Sequence, residues 1–145
     1  MNAGMLCTRK VDVATMDESV HAVAVRMDQR NVGTIVVTDG DRHPIGIVTD
    51  RDLTVRVLAH ARDPVLTRIG DVMTANPRSV ATNASLEASL SLMQSGPFRR
   101  LIVVDRGGSL VGILSLDDVL AVMARELDGV RKLLRRESPE ALAEA

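Results

Sequence analysis

Gly46-Ile47-Val48-Thr49-Asp50-Arg51-Asp52 and Gly112-Ile113-Leu114-Ser115-Leu116-Asp117-Asp118 carry one pattern twice, 66 residues apart. In each, an aliphatic run that opens on glycine leads to a hydroxyl residue, and an aspartate stands three positions later. This reads as a strand feeding a helix start. Working outward at the same offset, Val20–Leu53 lies over Leu86–Val119 without a gap. Seven of those 34 positions are identical: Ala22/Ala88, Met27/Met93, Val37/Val103, Asp39/Asp105, Gly46/Gly112, Ile47/Ile113 and Asp52/Asp118. Chance supplies about two identities in such a window. The chain is therefore read as an internal duplication.

Each copy reads as strand, helix, strand, strand, helix. Short strands at 11–15 and 79–82 precede helix starts at Asp17–Ser19 and Asn83–Ser85. Helical spacing follows in Val20, Val23, Ala24 and Met27, and in Leu86, Leu90 and Met93. The methionines are read as core residues. Two aliphatic strands then meet at a turn, 34–38 with 45–48 around Asp39-Gly40-Asp41, and 101–104 with 110–114 around Arg106-Gly107-Gly108. Final helices begin near Asp50 and Leu116. The expected organisation is a first copy over 1–60, a connection over 61–70 holding Pro64, a second copy over 71–123, and a C-terminal helix and tail over 124–145. The strands are apolar on both faces, so helices are expected to cover the sheets. Each half is too small to stand alone, and the two are expected to pack face to face.

Composition narrows the function. The chain has 145 residues, 46% hydrophobic and 1% aromatic, with Phe98 as its one aromatic and a formal charge of -1. Nucleic-acid binders show a lopsided charge and, for single strands, stacking platforms. Neither is present, so no nucleic-acid partner is expected. Aliphatic runs such as 101–104 fall far short of a membrane span, and the first ten residues lack a signal-peptide pattern. The expectation is a cytoplasmic protein with no membrane partner. A single Cys7 excludes an internal disulfide and lacks a basic neighbour of the activating kind. His21, His43 and His60 lack metal-ligand spacing, so no metal is expected. No nucleophile–base pair stands out, which leaves an enzyme as the least favoured class.

The repeated motif admits two readings. A strand entering a helix N-terminus gathers free N–H groups and a positive dipole end, which favours phosphate. The hydroxyl can donate to a phosphate or sugar oxygen, the aspartate can accept from ribose, and the glycine permits close approach of backbone or ligand. Equally, Thr49-x-x-Asp52 and Ser115-x-x-Asp118 are capping signatures that need no ligand, although glutamate suits the capping box better than the shorter aspartate. The chain contains no G-x-x-x-x-G-K-[ST] phosphate loop.

With VVTDGDRHPIGIVTDRDL (36–53) and LIVVDRGGSLVGILSLDDVL (101–120), the chain resembles a tandem pair of cystathionine-β-synthase (CBS) domains, a Bateman module, over about 11–123. The resemblance implies an α+β fold of two pseudo-twofold-related β-α-β-β-α repeats packed as one module. It implies clefts between the repeats for AMP, ADP, ATP, S-adenosylmethionine or NAD as regulatory ligands, with no catalytic residues and no required cofactor. By position, one cleft would use Thr49 and Asp52 for phosphate or ribose and Ile47 beside the purine, with Asn83, Ala88, Phe98 and Arg99 closing it. The second would use Ile113, Ser115 and Asp118, with Arg99 and Arg100 near the phosphates and Asp17, Ala22, Val32 and Gly33 opposite. The first copy has Gly33-Thr34 where the second has Arg99-Arg100, and Arg51 where the second has Asp117. The clefts are therefore expected to differ. Arg99 and Arg100 also fit solvated or ion-paired surface residues.

Beyond Asp118, Leu120, Met123, Leu127, Val130 and Leu134 follow a 3-4 spacing interrupted by Gly129. This seam would either fold back on its own module or self-associate. The resemblance implies a homodimer. Arg131, Lys132, Arg135 and Arg136, followed by Glu137, Glu140 and Glu144, read as a solvated tail. The leading expectation is a stand-alone ligand-sensing module acting in trans on a partner protein. The alternative is a ligand-free interaction or oligomerisation module.

Overall fold

Ser19 and Ser85 open the helix that follows the first strand of each repeat. Each hydroxyl accepts from the backbone N–H three residues on, Ala22 at 3.1 Å and Ala88 at 3.0 Å, satisfying a donor the helix cannot pair internally. In the computed structural model, which describes residues 1–96 and 98–136, the chain opens with α1 (Ala3–Leu6). Then come β1 (Val13–Ala14), α2 (Val20–Arg30), β2 (Thr34–Thr38), β3 (Pro44–Thr49) and α3 (Asp50–Leu53). A π turn over Thr54–Leu58 continues α3, and a 3-10 turn over Ile69–Asp71 leads into the second repeat. Then follow β4 (Thr74–Ala75), β5 (Ser79–Ala81), α4 (Leu86–Gln94), β6 (Arg100–Val104), β7 (Leu110–Ser115) and α5 (Leu116–Arg136). The tail glutamates Glu137, Glu140 and Glu144 lie outside the described residues.

Two sheets follow one plan. In the first, β1 runs parallel to β2, and β3 is antiparallel to both β2 and β4. In the second, β5 runs parallel to β6, which is antiparallel to β7. The outer neighbour of β7 is Thr8, bridged to Ile113 as Thr74 is to Ile47. Each sheet is thus completed by the segment that precedes the other repeat. Ala3 packs with Leu101, Val103 and Leu114, while Ile69 and Val72 pack with Ile35, Val37 and Val48. Residues 1–8, counted with the first copy in sequence, belong to the core of the second, and 69–75 belong to the first. A repeat boundary in sequence marks homology, whereas apolar burial marks the packing unit.

Helices cover one face of each sheet, and the other sheet covers the second face. Ile35, Val37 and Val48 lie under α2, but Val36, Ile102 and Leu110 form a separate buried cluster with Val13, Val104 and Ile113 at the seam between repeats. The helices expected to cover the sheets thus cover one face of each, and the face-to-face packing expected of the two halves covers the other. Alternate residues of one strand point to opposite faces. A doubly apolar strand shows that both faces are covered, and is silent about what covers them.

The hairpin turns also dock on each other. Asp39 Oδ1 accepts from the N–H groups of Asp41 and His43, and Asp105 Oδ1 does the same for Gly107 and Ser109. The identical aspartates are thus turn formers. The left-handed turn position is glycine in one copy, Gly108 at φ +83°, and Arg42 at φ +62° in the other. Across the seam, Leu110 N–H donates to Arg42 O at 3.0 Å and Ser109 Oγ to Asp41 O at 3.2 Å. His43 places Nε2 3.0 Å from Gly107 O and Nδ1 3.2 Å from Asp39 Oδ2.

Only a protonated ring can donate to both acceptors at once; the neutral ring has one donor for two. The Gly107 carbonyl chiefly, and then Asp39 with Asp41 beyond it, hold the His43 pKa above its ordinary value. A raised folded-state pKa contributes stability that is complete below the unfolded value and lost as pH rises through the folded one. Asp39 is held low, chiefly by the His43 N–H, so its contribution is lost in the opposite direction, as pH falls through its lowered value. The melting difference between the parent and His43→Ala is accordingly expected to be larger at about pH 5.5 than at about pH 8.5. Equal differences at both would remove the double-donor contact.

Candidate functional site

Thr49 ends β3 and Ser115 ends β7, and each begins a helix by closing a complete capping box. Asp52 N–H donates to Thr49 Oγ1 at 3.2 Å and Thr49 N–H donates to Asp52 Oδ2 at 2.9 Å. The corresponding bonds at Ser115 and Asp118 measure 3.1 and 2.8 Å. The shorter acid therefore spans the box. The remaining carboxylate oxygens differ. Asp118 Oδ1 accepts from Thr8 Oγ1 at 3.3 Å, while Asp52 Oδ1 lies 3.6 Å from Arg56.

The motif glycines serve the strand crossing. A Cβ on Gly112 would meet Thr8 O at 2.5 Å and Cys7 Sγ at 2.8 Å, and one on Gly46 would collide with the Met73 thioether. The close approach expected of these glycines is made by the chain arriving from the other repeat. Burial chiefly pushes the Cys7 thiol above its ordinary pKa, which suits an inert packing residue.

Two cavities open where these crossings meet the seam. The first, of about 210 Å³, is lined by Ile47, Thr74, Asn76, Pro77, Arg78, Phe98, Arg100 and Ile102. The second, of about 240 Å³, is lined by Ile113, Thr8, Lys10, Val11, Asp12, Val32, Gly33, Thr34, Ser115 and Asp118. Seven of the eight residues of the first have their 66-residue mate in the second, so these are the two copies of one site. Both are smaller than the 300–1,000 Å³ usual for drug-sized ligands. A recess of about 130 Å³ lined by Arg99, Arg100, Leu116 and Asp117 shares Ser115 with the second cavity, extending it toward the start of α5.

The copies differ in charge. The first presents Arg78 and Arg100 with no carboxylate in its lining, and Arg78 stands 5.2 Å over the Phe98 ring. In their places the second has Asp12, Thr34 and Val32, with Lys10 as its one cation. Asp12 is engaged by Arg30 at 2.8 Å.

Of the residues expected at the first cleft, Ile47 and Phe98 line one cavity. Thr49, Arg51 and Asp52 follow Ile47 along the same strand and helix start. Asn83 lines a different recess with Gly4, Arg9 and Thr82, and the exposed Ala88 lines neither cleft. At the second, Ile113, Ser115, Asp118, Val32 and Gly33 come together, whereas Asp17 and Ala22 do not. The Asp17 carbonyl accepts from Arg68 instead, and the Ala22 N–H serves the Ser19 cap. Arg99 lines the recess at Ser115, while Arg100 lines that recess and also the first cavity. Arg78, Asn76, Lys10, Asp12 and Thr8 lie outside the repeated motif and carry no sequence signal of a cleft. They lie on the crossing segments, and only the 66-residue offset, carried back through Thr8/Thr74, could have pointed to them.

Among the described residues, Asp39, Asp41 and His43 bring three ligand-type atoms within 4.8 Å of one another. The turn and seam contacts already engage Asp39 and both nitrogens of His43, which accounts for that cluster. No described helix is long and apolar enough to cross a membrane.

The sequence profile of the CBS domain matches residues 3–59 and 69–125. The two stretches begin 66 positions apart, the offset of the internal repeat. The chain is 41% identical over 115 residues to the uncharacterized protein YlbB of Bacillus subtilis, spanning 79% of this chain and 76% of that one. It is 29% identical over 122 residues to a protein of Methanopyrus kandleri, covering 84% of this chain and 62% of that one. Among solved structures it resembles CBSX2 in complex with AMP, at TM-score 0.73 and 27% identity, over 86% of this chain and 96% of that one. It also resembles the cytosolic domain of the Mg2+ channel MgtE in complex with ATP, at TM-score 0.73 and 31% identity, over 83% of this chain and 48% of that one.

Proposed function

The chain belongs to the CBS-domain family as a tandem pair, a Bateman module, and from that premise we propose that it is a regulatory module for an adenosine-containing ligand. The ligand class is AMP, ADP, ATP, S-adenosylmethionine or NAD. The observation that carries the reading is the duplicated cavity at the seam, one copy of which is cationic and holds the chain's one aromatic. In the Ile47 cleft, Ile47 and Ile102 would hold the base against Phe98, and Arg78 and Arg100 would meet the phosphates. In the Ile113 cleft, Val32 and Gly33 would flank the base, Ser115 and Asp118 would meet the ribose, and Arg99 would stand near the polar end. Two arginines against two carboxylates and one lysine direct the more anionic ligands to the Ile47 cleft. AMP in CBSX2 and ATP in MgtE support the ligand class.

As a regulator the module would be cytoplasmic, without catalysis, and would act in trans. Ligand at the seam would alter the surface offered to a partner protein. The change is bounded by the ligand's differential affinity for the two states. The complete capping boxes favour a second reading, a ligand-free interaction module, because they account for the motif without a ligand.

Thermal melts followed by circular dichroism separate the two. At 100-fold excess over Kd a ligand adds about 2.7 kcal/mol. For a chain of this length that is a rise of roughly 5–10 °C. Arg78→Ala is expected to abolish the response at the Ile47 cleft and Lys10→Ala to weaken only the other, with neither change touching a helix cap. Five flat melts would leave the interaction reading. With no Trp or Tyr in the chain, a co-purified nucleotide would also dominate the ultraviolet spectrum.

A further inference from the structure

We propose, on the premise that both clefts take adenosine-containing ligands, that Arg100 is shared between them and sets them against each other. Arg100 opens β6 on the same face as Ile102, two residues on, and lies across from Ser115 of β7. Ile102 lines the Ile47 cavity, whereas Ser115 lines the Ile113 cavity and the recess that extends it. Arg100 itself lines the Ile47 cavity and that recess. It therefore borders both clefts.

The other cations of the seam each serve one side. Arg78 lines the Ile47 cavity, Lys10 the Ile113 cavity and Arg99 the recess. At the 66-residue offset the mate of Arg100 is Thr34, so the first repeat does not return a second arginine to the wall. Arg26, Arg30 and Arg56 are held by carboxylates, but among the described residues Arg100 has no ion pair and is exposed. Its long stem and permanent charge let it follow an anion to either side, while one guanidinium fork grips one phosphate at a time. An anionic ligand in the Ile47 cleft thus withdraws a counterion from the Ile113 cleft. Linkage makes the effect reciprocal, and a factor of about ten falls within the usual range for coupled sites. A ligand without phosphate makes no such demand on Arg100.

Isothermal titration of the full chain with AMP tests the sharing. Arg78→Ala, which removes binding at the Ile47 cleft, is expected to make the remaining event about tenfold tighter than the weaker event of the parent. In an Arg100→Gln background the same change is expected to alter that event by less than about twofold. Adenosine in place of AMP is expected to show no gain in either background. The sharing is overturned if Arg78→Ala brings no gain, if the gain persists with Arg100→Gln, or if adenosine shows it equally. AMP binding without the gain would sink the sharing alone, whereas no AMP binding in the parent or any variant would sink the ligand reading with it.

Discussion

Shortening Ile102 to alanine is expected to lower the unfolding free energy by about 3 kcal/mol and the melting temperature by roughly 10 °C. Ile102 is 1% exposed on β6 and sits between the sheets, packed with Val36 of the first repeat and Leu110 of the second. Its neighbours Leu101 and Val103 point the other way, into the helix-covered core. Removing the side chain opens a cavity at the apolar cluster that, among the described residues, both sheets build, and neither sheet can collapse into it without moving against the other. The loss should therefore be felt by both repeats, as faster amide exchange in β2 as well as in β6. Leu66→Ala, at an exposed residue of the connection, is expected to change stability by less than about 0.5 kcal/mol. A loss below about 1 kcal/mol at Ile102 would mean that the sheets do not share a core.

Gly112→Ala is expected to cost about 2–3 kcal/mol, several times the cost of Gly46→Ala, although the two glycines are the same motif position. At Gly112 the new methyl meets the backbone carbonyl of Thr8, which is fixed by reciprocal bonds to Ile113 of 2.9 and 3.0 Å. Backbone cannot step aside, so relief requires pulling the first eight residues from the second core and exposing Ala3. At Gly46 the obstacle is the Met73 side chain, whose three rotatable bonds let it move. The expected signature of Gly112→Ala is protease sensitivity before residue 10, with the sheet of the first repeat retaining its protection. Equal melting losses at the two sites would show that the crossings are equally rigid.

The seven identities between the copies show how much was legible, and what kind of information it was. Met27/Met93 and Val37/Val103 are core, Asp39/Asp105 shape the hairpin turns, Gly46/Gly112 admit the crossing segment, and Asp52/Asp118 close capping boxes. Ala22/Ala88 donate their N–H to the serine caps. Of the seven identities, the Ile47/Ile113 pair is the one that lines both cavities. Repeat identity therefore located the fold far better than it located the site. Residues that distinguish the clefts, such as Arg78 against Asp12 and Phe98 against Val32, are those where the copies differ.

Local physics was carried by the sequence alone. Hydroxyl caps, aspartate turns, aliphatic strands and the duplication are written in neighbouring residues, because each depends on contacts within a few positions along the chain. The α+β repeat and its family follow from them. The exchange of segments 1–8 and 69–75 between sheets was decided only in three dimensions, as was the division of each strand between a helix-covered face and a sheet-covered one. So was the placing of Arg78 and Arg100 beside Ile47. These are contacts between parts of the chain far apart in sequence, and an apolar or basic residue carries no mark of which distant partner will cover it.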